Sequence, residues 1–118
     1  MAKNHDVGRK SEDFASSYLS ANGYEIIEKN WRFSRAEIDI IAKHNAILVF
    51  VEVKSRSSLV FGQPEDSINA KKEHLLIDAA NAYMRKIEFN WEIRFDIISI
   101  YWKTPNYPTL NHFKDAFY

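Results

Sequence analysis

Between Arg35 and Lys54 the chain carries two strongly β-forming runs separated by one polar break, Lys43-His44-Asn45. The turn therefore centres near Asn45-Ala46, and a two- or four-residue loop there sets Asp39 opposite Glu52 and Glu37 opposite Lys54. Because strand side chains alternate, Glu37, Asp39, Glu52 and Lys54 share one face, with Ile41, Leu48 and Phe50 further along it. The other face carries Ile38, Ile40, Ala42, Val49, Val51 and Val53 and is apolar throughout. Directly opposite residues have Cβ atoms about 5 Å apart, so two half-buried carboxylates there destabilise the hairpin unless a cation lies between them. Read alone, Lys54 paired with Glu37 or Asp39 is an ordinary half-buried salt bridge. Three acids against one lysine leave negative charge over, and that points to a metal.

The rest of the chain frames this hairpin. From Asp6 to Asn22, Phe14, Ala15, Tyr18 and Leu19 recur at helical spacing, and Gly23 stands where a helix end prefers positive φ. Tyr24 to Lys43 reads as strands, Ile47 to Val53 as another, and Ser55 to Asp66, with Gly62 and Pro64, as a loop. Ala70 to Glu88 is the clearest helix, with Leu75, Leu76, Ala79, Ala80, Tyr83, Met84 and Ile87 on one stripe. Ile93 to Trp102 reads as a buried strand, and Thr109 to Tyr118 as a short last element whose type the sequence leaves open. The order predicts a mixed α/β domain over residues 1–118, an antiparallel meander followed by a helical crossover.

Two further charges lie on those helices. Glu12 sits at the edge of the apolar stripe of Ala15 and Leu19, a place that, taken alone, is more often held by a surface glutamate in the first turns. Lys72 extends the stripe of Leu76, Ala79 and Tyr83, where a lysine can simply snorkel at the core edge.

Composition narrows the classes. With no cysteine, disulfide scaffolds, thiolate metal sites and cysteine nucleophiles are excluded. Sixteen basic and sixteen acidic residues give zero net charge, which counts against an obvious electrostatic nucleic-acid binder. The polar Met1 to Lys10 stretch is unlike a signal peptide, and the longest apolar run, Ala46 to Val51, is too short to span a bilayer. The expectation is a small cytoplasmic protein without a membrane partner.

Asp39, twelve residues, then Glu52-Val53-Lys54 resembles the PD-(D/E)xK nuclease constellation. The wider string is similar to the YraN-like family of small bacterial proteins, predicted endonucleases akin to Holliday junction resolvases. The matching pieces are Gly8, Glu12, Ala15 and Leu19, then Asn30 with Arg32, Glu37 to Ala42, Phe50 to Arg56, Lys72 with Ala79 and Tyr83, Arg94-Phe95-Asp96, and Asp115-Ala116-Phe117. Ser11 and Ala36 stand where the family usually has glycine, and Asn69-Ala70 where it often has Thr-Pro.

The resemblance implies a restriction-endonuclease-like αβββαβ core, a mixed sheet flanked by helices, that hydrolyses DNA phosphodiesters. Asp39 and Glu52 would ligate Mg²⁺, or Mn²⁺, with the Val53 carbonyl; hard oxygen donors in small number suit that ion. Lys54 would orient or deprotonate the attacking water or stabilise the phosphate, and Glu12 would be an outer or second-metal ligand. Glu37 is expected beside Lys54, and Lys72 and Arg56 near substrate. With Glu12, Asp39 and Glu52 neutralised by metal, 13 acids face 16 bases, and Arg9, Lys10, Arg32, Arg35 and Arg56 flank the site. Trp31 and Phe33 offer either stacking surface or core. Branched or junction DNA is the expected partner, and two coordinated cuts there call for a homodimer. The alternative is a nucleic-acid-binding or protein-interaction module of the same fold that does not cut.

Overall fold

In a computed structural model describing residues 2–56 and 69–118, with side chains described from Val7 onward, the first helix, α1, runs Ala2–Ala21. It starts ahead of the predicted Asp6 and ends as expected. Gly23 has φ 87°, the Tyr24 amide donates to the Leu19 carbonyl at 3.0 Å, and the Gly23 amide to that of Ser20 at 3.2 Å. That pair of bonds is the Schellman closure, which requires a residue tolerant of the left-handed region.

Three strands follow: β1 (Glu25–Phe33), β2 (Ala36–His44) and β3 (Ile47–Arg56). The β2–β3 turn is Asn45-Ala46, with pairs from His44–Ile47 to Ile40–Val51, the register expected from the sequence. In the β1–β2 turn the left-handed residue is Ser34 (φ 58°), so Ala36 begins β2 without conformational strain. Ser55 and Arg56 extend β3 rather than opening a loop; the remainder of the predicted loop, with Gly62 and Pro64, lies outside the described residues.

Helix α2 (Ala70–Ile87) begins at Asn69, whose side chain accepts the Lys72 amide at 2.9 Å, a cap that needs neither Thr nor Pro. It returns the chain to β4 (Ile93–Thr104), parallel to β3, and β5 (Tyr107–Phe117) runs back antiparallel along β4. The last element is thus a full edge strand. Its alternating half-buried positions Pro108, Leu110 and His112 are what a one-sided strand shows. The five strands lie in sequence order in one mixed sheet.

The helices cover opposite faces. Leu76, Ala79, Ala80 and Tyr83 of α2 pack on Ile41, Leu48, Phe50 and Phe95. Ala15 and Leu19 of α1 pack on Ile40, Ala42, Val49, Val51, Ile98 and Ile100. One residue departs from the expected alternation. Ile38, expected beside Ile40, belongs to the α2 cluster with Ile41. The slip falls at Asp39, opposite Asn30, which lies between the Lys29–Ile40 and Trp31–Ile38 pairs and has φ 55°. A left-handed residue inside a strand kinks the ladder, and asparagine tolerates that conformation better than most residues.

A polar cluster lies on the α1 face. Asp96, fully buried, accepts from Arg94 Nε and Nη2 at 2.8 Å each, from His112 Nε2 at 2.7 Å and from the Asp115 amide at 3.0 Å. Arg94 also donates to the Tyr24 hydroxyl at 2.8 Å, and the Tyr18 hydroxyl meets His112 Nδ1 at 3.0 Å. Burial alone raises the Asp96 pKa, but the bonds from His112, Arg94 and the Asp115 amide outweigh it and hold it below the usual range. Buried Ser11 accepts from Trp102 Nε1 at 2.8 Å and donates to Ser55 at 2.9 Å, so this serine ties α1 to the ends of β3 and β4. Among the described residues no helix is long and apolar enough to cross a membrane.

Candidate active site

Strands β2 and β3 stop pairing beyond Ile40–Val51. At the next step the Asp39 side chain takes over from backbone: its Oδ2 accepts the Val53 amide at 2.8 Å. A fork opens there, and charged side chains fill it. Asp39 is 9% and Glu52 7% exposed, so both carboxylates are largely withdrawn from water.

Two lysines answer Glu52. Lys72, from the first turn of α2, places Nζ 2.6 Å from Glu52 Oε2, and Lys54 places its own 3.4 Å from the same oxygen. The sequence placed Lys72 near substrate; the structure gives it Glu52 as a partner. Burial works to lower the Lys72 pKa, but the hydrogen bond and charge of Glu52 outweigh it and raise it. Lys54 is lowered, first by burial and then by neighbouring Lys72, against the pull of Glu52.

Among the described residues no cation lies at bonding distance from Asp39, and its pKa is pushed up to about 8. Burial is the largest cause and the Glu52 charge the next; the Val53 amide opposes them, and the charges of Glu12 and Glu37 add to the rise. Glu12 thus acts on the fork from α1, on the other face of the sheet from Lys72. Its Oε1 accepts from Asn30 Nδ2 at 2.9 Å. Asn30 is a site residue whose role sequence reasoning did not reach. Asparagine is depleted in strand interiors, and that was the available signal.

The remaining expected residues are placed as follows. Glu37, expected beside Lys54, instead meets Arg32 Nε at 3.4 Å: the β2–β3 ladder ends before it, and it pairs with Arg32 of β1. Val53 is half-buried and pairs with Ile98, and Arg56 lies at the end of β3, half-buried, beside Tyr101. Lys10 stands apart, donating to the Pro105 carbonyl at 2.6 Å over the Trp102 ring. Trp31 packs edge-on against Tyr83 in the core, and Phe33, 40% exposed, stacks on Trp31 with centroids 6.2 Å apart.

Among the described residues, no three Asp, Glu or His side chains gather as a metal-binding group. Mg²⁺ asks for less: one or two carboxylates, with water completing its shell. Burial first, and the Glu52 charge next, push the Asp39 pKa up to about 8, and a divalent cation between the two carboxylates would offset both. The donor set fits such an ion, in competition with Lys72.

The sequence profile described as "Uncharacterised protein family UPF0102" matches residues 11–100. The chain is similar to a UPF0102 protein of Flavobacterium psychrophilum, 47% identical over 118 residues, covering 100% of this chain and 98% of that one. A UPF0102 protein of Flavobacterium johnsoniae is 43% identical over 122 residues, covering 100% and 98% of the two chains. One from Clostridium kluyveri is 43% identical over 116 residues, covering 97% and 95%. With nine-tenths or more of both chains matched in each case, the chain belongs to the UPF0102 family.

Proposed function

We propose that this protein is a metal-dependent endonuclease that hydrolyses DNA phosphodiester bonds, selective for branched or junction structures, as its resemblance to the YraN-like predicted endonucleases implies. One observation carries the reading: Asp39, Glu52, Lys54 and Lys72 converge at the fork between β2 and β3.

In this reading Asp39 and Glu52 would hold Mg²⁺ or Mn²⁺, and the family resemblance adds the Val53 carbonyl as a further ligand. Such an ion would supply Lewis-acid polarisation of the phosphate and activation of water. The Val53 amide fixes the Asp39 carboxylate. Lys54, half-buried and with a lowered pKa, is suited to take a proton from the attacking water or to meet the phosphate's charge. Lys72 provides positive charge on the α2 side and Glu12 an outer carboxylate on the α1 side. Cutting both strands of a junction would use two copies of the chain.

The second reading is a nucleic-acid-binding module that does not cut. It draws on Glu52, whose Oε2 already carries two ammonium groups. Incubation of supercoiled, branched and single-stranded DNA with Mg²⁺ or Mn²⁺ separates the two. The nuclease reading expects cleavage of at least the branched substrate, reduced ~10²–10⁴-fold in Lys54→Met with little loss of binding. No cleavage by the wild type, together with weaker binding and a shallower salt dependence in Lys54→Met, establishes the binding module instead.

A further inference from the structure

Beside the fork, between the β1–β2 turn and the start of α2, lies a cleft of about 300 Å³. Its apolar part is Ala36, Leu75 and Leu76, and its cations are Arg35, Lys71 and Lys72. Among the described residues its one acid is Glu37, which Arg32 engages at 3.4 Å. Lys72 joins the cleft to the candidate active site, since it lines the cleft while its Nζ rests on Glu52 Oε2. Phe33 pairs with Ala36 across the β1–β2 turn and keeps 40% of its surface exposed.

A pocket of this size, part apolar and part cationic, suits a ligand with a flat, weakly polar body and an anionic end. A duplex backbone presents phosphates but no base faces, so it would leave half-buried Leu75 and the exposed part of Phe33 uncovered, Ala36 and Leu76 being already buried. An unpaired nucleotide supplies both, its base for the apolar wall and its phosphate for the cations; charged grooves with adjoining aromatics bind single strands this way. We propose that this cleft receives one unpaired nucleotide of the substrate strand and so selects nucleic acids that are locally single-stranded next to the reacting phosphodiester. The proposal rests on the nuclease reading for the word substrate, and on the cleft alone for the binding.

Binding is measured by fluorescence anisotropy in EDTA, so that it is read apart from cutting. The probes are a fully paired duplex and the same duplex with a short unpaired flap, each in deoxyribo and ribo form. The wild type should bind flapped probes about tenfold more tightly than paired ones, within the range that one stacked base contributes. Preference in either sugar series supports the cleft. Leu75→Trp, which fills it, should remove the preference while leaving paired-duplex binding intact. Arg35→Gln, at an exposed position, should weaken flap binding and make its salt dependence shallower by about one unit of slope. Equal binding of the two probes by the wild type overturns the proposal, as does a preference unchanged in both variants. Flap preference without cleavage under any metal condition overturns the nuclease reading and leaves the cleft standing; cleavage without flap preference does the reverse.

Discussion

Lys72 Nζ and Glu52 Oε2 lie 2.6 Å apart, joining the first turn of α2 to β3 across the mouth of the fork. An ammonium group therefore holds one of the oxygens that a divalent cation would use. In Lys72→Met the competitor is gone while much of the aliphatic stem remains. Mn²⁺ should bind this variant more tightly than the wild type, read by titration calorimetry; on the nuclease reading, DNA cleavage should fall because a cation beside the fork is lost. Equal Mn²⁺ affinity in the two proteins would show that Lys72 does not compete for the site.

Asp39 sets a pH dependence of stability. Its folded pKa of about 8 lies above its ordinary value of 3.8, so between those limits the folded protein binds a proton that the unfolded chain does not. Stability contributed by this group is present at low pH and falls as pH rises from about 4 to about 8. Urea unfolding in EDTA from pH 5 to pH 9 should show the decline, and Asp39→Asn should flatten it. Saturating Mg²⁺ should offset the decline at the upper end by mass action, contributing about 2.7 kcal/mol at a hundredfold excess over Kd. Asp39→Asn should abolish that metal response.

The Asp96 cluster behaves in the opposite sense. Its pKa is depressed, so its contribution is full above the ordinary carboxylate range and is lost as pH falls through about 4 and below. Arg94→Met removes the two-pronged partner and leaves a fully buried carboxylate with one cationic side chain fewer, a change that typically costs ~3–5 kcal/mol. Chemical denaturation at pH 7 gives the loss directly. A cost below about 1 kcal/mol would mean that water replaces the guanidinium.

At the end of α2, Glu88 holds φ 55° while its amide donates to the Arg85 carbonyl and the Phe89 amide to that of Met84. This is the closure that α1 makes with Gly23, but with a side chain in the left-handed position. Glu88→Gly should stabilise the protein by about 0.5–1 kcal/mol, measured as a rise in denaturation midpoint with unchanged slope.

Much of this was readable in the sequence because hairpins obey local arithmetic. The polar break at Lys43-His44-Asn45 fixed the Asn45-Ala46 turn, and with it every pair down to Ile40–Val51. The arithmetic failed where the ladder did. The hairpin arithmetic does not foresee that β2 and β3 part at Asp39 or that Asn30 kinks β1 there; with the kink Ile38 changes face, and with the parting Glu37 pairs with Arg32 instead of meeting Lys54. Lys72 and Glu52 meet through tertiary packing of α2 on the sheet, a contact that helical spacing can allow but cannot specify. Asn30 was visible as a matching residue without a role, since its bond to Glu12 depends on a backbone kink inside β1. The final strand escaped because β5 is an edge with alternating exposure and a proline, and carries little apolar signal.

Glu12 lies on the α1 side of the sheet, bonded to Asn30 and adding its charge to the field at Asp39, and Lys72 meets Glu52 from the α2 side. The assembly is consequently a test of completeness for the whole fold. A chain with one helix docked and the other loose would bring only half of the charged groups together. If the chain cuts nucleic acid as proposed, that activity should appear late in refolding, only after both apolar layers have closed.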